Sequence, residues 1–149
     1  MNQVAFRGRH QHSLDDKGRL AIPARFKEIL ERKNDLCVVV TNLSNCLVAF
    51  ARDDWRAVKE KALGLPFFDS AANIYLRYFI SGAVECPLKQ GRILIPPDLR
   101  HLGGLNKEVV LVGQLKRFEI WDKARWEEEF ERVKEEFSGI SQSLSDFGF

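Results

Sequence analysis

Apolar positions along the chain follow two periods that take turns. They alternate or cluster at strand spacing in Leu20-Ala21-Ile22, Val38-Val39-Val40 and Leu47-Val48-Ala49-Phe50, where β-branched residues favour extended backbone. They recur at helical spacing as Trp55, Val58, Ala62 and Leu63, and more clearly as Trp126, Phe130, Val133 and Phe137. Pro23 closes a strand and suits the first turn of a short helix over 24–32. Asn42-Leu43-Ser44-Asn45 and Gly113-Gln114-Leu115-Lys116 predict hairpin turns, and Asp53 and Asp122 predict helix N-caps. Pro66 breaks the pattern. Beyond it, Asp69 or Ser70 can cap a helix through Ile74, Leu76, Tyr78 and Phe79, which is apolar enough to pack rather than to tether.

These elements occur twice. Lys17-Gly18-Arg19-Leu20-Ala21-Ile22-Pro23-Ala24 is matched by Gln90-Gly91-Arg92-Ile93-Leu94-Ile95-Pro96-Pro97 at an offset of 73. Asn34-Asp35-Leu36-Cys37-Val38-Val39-Val40 is matched by Asn106-Lys107-Glu108-Val109-Val110-Leu111-Val112 at 72 or 73. Leu47 to Phe50 and Trp55 are matched by Phe118 to Trp121 and Trp126 at 71, so two residues have been lost from a turn. The chain is a duplication. Each unit reads as hairpin, short helix, hairpin and longer helix. A unit of roughly 45 residues is near the lower limit for a core of its own, which predicts that the two halves interdigitate.

With 149 residues, 45% of them hydrophobic and 30% charged, the chain has material for a packed core and is not mainly disordered. No apolar run is long enough for a membrane span, and no signal peptide is visible at the start. Three cysteines without CxxC spacing argue against a disulfide framework or a zinc ribbon and fit a reducing cytoplasm. The net charge of +2 conceals an asymmetry. Residues 1–27 carry six basic and two acidic side chains, whereas residues 122–149 carry four basic and eight acidic ones. A basic front suggests a polyanionic partner.

The richest local pattern is Asp15-Asp16-Lys17-Gly18-Arg19. Aspartate opening a tight loop can accept a backbone N–H two residues on, and Gly18, like Gly91 in the second half, supplies the positive φ that closes a hairpin. Lys17 then sits at the tip and Arg19 on the outgoing strand, with Arg7 and Arg9 nearby. Such an end could contact phosphates, and arginine can fork onto base edges. Taken alone, the segment reads better as an ordinary solvated turn; its repetition shifts the balance toward a shared role, although a structural role for arginine would also repeat.

Arg7-Gly8, Leu14-Asp15-Asp16-Lys17-Gly18-Arg19-Leu20-Ala21-Ile22-Pro23, Gly91-Arg92-Ile93-Leu94-Ile95-Pro96, Glu108 to Gln114 and Phe118 to Asp122 resemble the MraZ family of bacterial transcriptional regulators. The likeness runs from about Phe6 to Phe137. It implies an α+β fold of two AbrB/SpoVT-type swapped-hairpin units packed as an intramolecular pseudo-dimer, with domains at 9–54 and 83–126, linker helices at 55–82, and a C-terminal helix and tail at 127–149. It also implies a cytoplasmic, nucleoid-associated protein without a cofactor that assembles into a homo-oligomeric ring. This protein would bind double-stranded promoter DNA and repress its own division and cell-wall operon. On this likeness Arg7, Arg9, Lys17, Arg19 and Arg92 carry the DNA contacts, and Asp15, Gly18 and Gly91 shape the turns.

The family signature Asp-x-x-x-Arg falls on Asp15 and Arg19. In the second half the residue four before Arg92 is Leu88, and the simplest alignment equates Leu88 with Leu14 and deletes the aspartate. The rival reading, an assembly module of the same fold without specific DNA affinity, draws its support from that loss. His10 and His12 would share a face of a strand without a third ligand nearby, Cys86 reads as a buried structural thiol, and Glu127 to Glu129 as the wet face of the last helix. No phosphate loop, catalytic triad signature or paired-carboxylate motif is present, so no enzyme is predicted.

Overall fold

The computed structural model describes residues 5–149. The first half contributes β1 (Arg9–Ser13), β2 (Arg19–Ala21), α1 (Ala24–Arg32), β3 (Cys37–Asn42), β4 (Leu47–Ala51) and α2 (Arg52–Leu63). A short α3 (Ser70–Tyr75), capped by the Asp69 carboxylate on the N–H of Ala72, runs into a π-helical turn over Leu76–Ile80. The second half contributes β5 (Val84–Pro87), β6 (Arg92–Leu94), α4 (Pro97–Leu102), β7 (Glu108–Gly113), β8 (Arg117–Asp122) and α5 (Lys123–Glu136). A short α6 (Ser141–Ser145) ends the chain's regular structure.

The duplication is built into the sheet. Six antiparallel strands run in the order β1-β7-β8-β4-β3-β5, so each half's inner pair is flanked by the other half's first strand. The strands expected to form each front hairpin therefore part company. β1 pairs with β7 and β5 with β3, while β2 and β6 pair with each other as a separate two-stranded ribbon. Only isolated bridges, Leu14 to Leu20 and Lys89 to Arg92, survive of the local hairpins. Exchange lets Leu20 and Ile93, opposite each other on the ribbon, enter one core. A unit this small gains more buried apolar area by sharing than by folding alone.

That core lies between the ribbon, α1 and α4 on one side and the sheet on the other, and includes Val38, Val40, Leu47, Ala49, Val109, Leu111 and Ile120. Phe26 on α1 is fully buried with Phe6 and Phe118, at ring-centroid distances of 5.1 and 4.8 Å. On the opposite sheet face, Val39, Val48, Phe50 and Trp55 form a second cluster that holds Phe79 and Ile80 of the connecting turn. The linker is thus packed, through its apolar stripe.

One expected cap differs. The residue at the start of α2 is Ala51, without a side-chain cap, whereas Asp122 accepts the N–H of Arg125 at the start of α5. At the offset of 71 that relates this part of the halves, Ala51 and not Asp53 corresponds to Asp122. Strand β4 runs into α2 with no loop, so Asp53 falls inside the first turn, where its carboxylate takes the Lys33 ammonium at 2.9 Å.

Candidate nucleic-acid interface

The ribbon has an apolar side and a polar side because strand residues alternate. Leu20 and Ile93 point into the core, which leaves Arg19, Ala21, Arg92 and Leu94 on the outer face. Arg19 lies opposite Leu94 and Arg92 opposite Ala21, so the two arginines stand diagonally across one small surface.

Asp15 joins them. Its Oδ1 accepts the backbone N–H of Lys17 at 2.9 Å and of Arg19 at 2.8 Å, and its Oδ2 accepts Arg19 Nε at 2.6 Å. Arg92 Nη1 approaches the same Oδ2 at 3.6 Å from the other half of the chain. The Arg19 backbone N–H, together with the Arg19 guanidinium and the Lys17 amide, holds the Asp15 carboxyl at about 2. The clamp is therefore fully charged above the ordinary carboxylate range of about 4 and opens only as pH falls through the lowered value. Among the described residues no acceptor takes the two Nη groups of Arg19, which can fork onto an acceptor pair while Asp15 holds Nε.

The two turns explain why the second aspartate can be absent. In the first, Asp15 N–H donates to Arg19 O, while Gly18 N–H donates to Asp15 O. The Arg19 N–H is left over, and the Asp15 carboxylate accepts it. In the second, Lys89 and Arg92 exchange both backbone hydrogen bonds, at 2.9 and 3.1 Å, across a two-residue turn with Gln90 at φ 54° and Gly91 at φ 74°. The Arg92 N–H, the counterpart of the Arg19 N–H that Asp15 accepts, is already taken by Lys89 O. Leu14 N–H donates to Lys107 O as Leu88 N–H donates to Leu36 O, so Leu88 does correspond to Leu14. The next residues also correspond: Lys89 stands in the ladder position of Asp15, and the missing residue comes from the turn itself. That corrects the alignment that deletes the aspartate.

Gly18 and Gly91 differ in surroundings. Both have positive φ, but a Cβ on Gly18 would lie 2.7 Å from the Arg100 guanidinium carbon and 3.0 Å from Ile95 O, whereas Gly91 faces open space. Gly91→Ala should cost about 1–2 kcal/mol, the left-handed backbone penalty, and Gly18→Ala more. Urea unfolding of both variants checks this; a Gly18→Ala midpoint no lower than that of Gly91→Ala would contradict the close packing.

The structure thus brings Asp15, Arg19 and Arg92 together, with Lys17 exposed at the adjoining loop. It does not bring Arg9 to them. Arg9 pairs with Val112 on the sheet face that α5 covers, and its guanidinium carbon lies 4.6 Å from the Phe130 ring centroid. Arg7 is exposed beside the sheet edge, its carbonyl 3.1 Å from His10 Nε2. His10 and His12 share the core-side face of β1; the His10 ring meets Phe26 edge-on, and burial, with the neighbouring His10, lowers His12. Burial pushes the Cys86 thiol up to about 12. Among the described residues, no group of three or more His, Cys, Asp or Glu converges as metal ligands, and no helix is long and apolar enough to cross a membrane. Two residues beside the ribbon were not singled out from the sequence. Lys89 is visible there only as a cation two positions before Gly91, and Arg100, whose Nε donates to Ile95 O at 3.0 Å, becomes relevant only once α4 packs against Gly18.

The fold and this surface define a class: an α+β protein of two strand-exchanged repeats that displays a paired-arginine ribbon between them. The family model described as "MraZ protein, putative antitoxin-like" matches residues 5–78 and again 79–147, once per half. The chain is 43% identical over 143 residues to the Transcriptional regulator MraZ of Moorella thermoacetica, covering 95% of this chain and 98% of that one. It is 44% identical over 144 residues to that of Pediococcus pentosaceus, covering 96% and 99%. Identity is also 44% to that of Pelotomaculum thermopropionicum, covering 95% and 96%. The chain belongs to the MraZ family, a family of transcriptional regulators and not of enzymes.

Proposed function

We propose that this protein is a sequence-specific regulator that binds double-stranded promoter DNA and represses its own division and cell-wall operon, acting in the cytoplasm on the nucleoid. The observation that carries the DNA-binding part is the arginine pair of the ribbon, Arg19 and Arg92, aimed by one carboxylate and bordered by Lys17. A guanidinium held at Nε with its Nη donors outward, as in Arg19, suits base edges and phosphates, and a two-stranded ribbon is narrow enough to enter a major groove. Arg7 lies at the far end of β1 from the Asp15 loop, beside the β7–β8 turn, and Arg9 is engaged with Phe130, so neither adds to the ribbon as directly as Lys17. The repeated units would span 9–54 and 83–126, joined by the linker helices of 55–82 and followed by the C-terminal helix and tail of 127–149.

A ring of subunits would raise the local concentration of each further contact and so favour repeated DNA elements. Exposed Leu63, Phe67, Phe68, Ile74, Phe147 and Phe149 support association of this kind. Light scattering measures the assembly mass directly; a monomer at working concentration would remove the ring.

The test of DNA binding is a gel shift with the chain's own upstream DNA against unrelated DNA, repeated over a salt series. Binding should prefer the upstream DNA and fall linearly on a log–log plot against salt, as counterion release requires. A flat plot would remove the basic ribbon, and equal affinity for both DNAs would favour an assembly module without specificity.

A further inference from the structure

The two halves carry opposite charges at one structural position. Lys89 replaces Asp15 in the backbone ladder, one residue after the matched pair Leu14 and Leu88. Asp15 is spent on both arginines. Lys89 is exposed, belongs to none of the ion pairs among the described residues, and lines a cleft of about 560 Å³ with Arg19, Arg92 and Glu85. The first hairpin therefore offsets its arginine charge with a carboxylate, and the second adds a further cation to the same surface.

We propose that Lys89 is a backbone-phosphate contact of the second hairpin, so that DNA crossing the ribbon is gripped unequally by the two halves. This rests on the DNA-binding reading above. An ammonium on a flexible four-carbon stem is a point charge without the planar fork that reads base edges, and phosphate is the acceptor such a group finds along a duplex. Arg19, held at Nε by Asp15, is the aimed group; Lys89, unheld, follows the backbone. The first half thus supplies orientation and the second supplies charge.

The experiment uses the full chain, its own upstream DNA and an unrelated duplex of equal length, with affinities followed by fluorescence anisotropy over a salt series. Lys89→Ala should weaken binding to both duplexes by a similar several-fold factor and reduce the log–log salt slope by about 0.9 for each subunit engaged. Lys89→Arg should keep the wild-type slope, and Lys89→Asp should weaken binding beyond Lys89→Ala. Thermal unfolding of Lys89→Ala should match wild type, since the substitution breaks no ion pair. Wild-type affinity and slope in Lys89→Ala would overturn the proposal while leaving the DNA-binding reading intact. A weakening confined to the upstream DNA would make Lys89 a base reader and overturn it as well. Failure of the wild-type chain to bind either duplex would overturn both.

Discussion

Phe26→Ala is expected to destabilise the fold by about 3–5 kcal/mol, the usual cost of emptying a buried aromatic site. Phe26 belongs to the first half, yet its ring is 4.8 Å from that of Phe118 in the second and 5.1 Å from that of Phe6 at the start of the chain. It is fully buried, and the neighbours come from elements that cannot close together without dragging both halves. The loss is a large share of the roughly 5–15 kcal/mol that holds a domain together. A chain of this length should lose about 2–4 °C of melting temperature per kcal/mol, so the midpoint should fall by roughly 6–20 °C. Phe137→Ala, at a site that is 70% exposed, is the control and should stay within about 0.5 kcal/mol of wild type. The transition should remain single in both variants, because strand exchange leaves neither half a sheet of its own. Scanning calorimetry measures these quantities. Two separate transitions would mean that the halves fold independently, and equal midpoints for the two variants would contradict the packing of Phe26 between them.

The second large effect concerns DNA. Arg19→Ala should weaken binding to the upstream element by about 1–3 kcal/mol for each bidentate arginine–base pairing it removes, roughly five- to 150-fold, with a smaller effect on unrelated DNA. Removing the guanidinium also leaves Asp15 with Arg92 alone, and that pairing at 3.6 Å is the looser of the two. Arg132→Ala deletes the same charge from α5, where Arg132 is paired with Glu129 and Glu136, and should change affinity little. Arg132 is exposed and Arg19 half-buried on the outer face of the ribbon, so neither substitution empties the core and both variants should fold normally. Equal affinities for the upstream DNA would show that the ribbon is not the reading surface.

Several features of this chain are local, and local features are legible in a sequence. α1 runs over Ala24–Arg32, directly after Pro23, whose ring fixes a φ that a helix start can use. Asp69 and Asp122 cap the helices that follow them, because the capping hydrogen bond spans only three residues. The duplication is visible because the same residues recur in the same order, and one repeated unit too small for its own core already requires the halves to share one. The loop of Asp15 is readable for the same reason, since every partner of its Oδ1 lies within four residues.

What tertiary structure decided lies in pairings between residues far apart in sequence. Period-two alternation in β1 and β2 fits a local hairpin as well as it fits an exchange, and the shared core selects the exchange. Asp53 has the chemistry of a cap, but the direct run of β4 into α2 puts Ala51 at the N-cap and Asp53 inside the first turn. Arg9 is close to Arg19 along the chain, but alternation along β1 turns it to the face where Phe130 waits, a partner 121 positions away. Asp15 serves Arg92 as well as Arg19 only because β2 and β6 lie side by side. Spacing and composition determine which short elements form. Which face of the sheet each charge occupies, and which carboxylate it finds there, depends on burying both halves in one core.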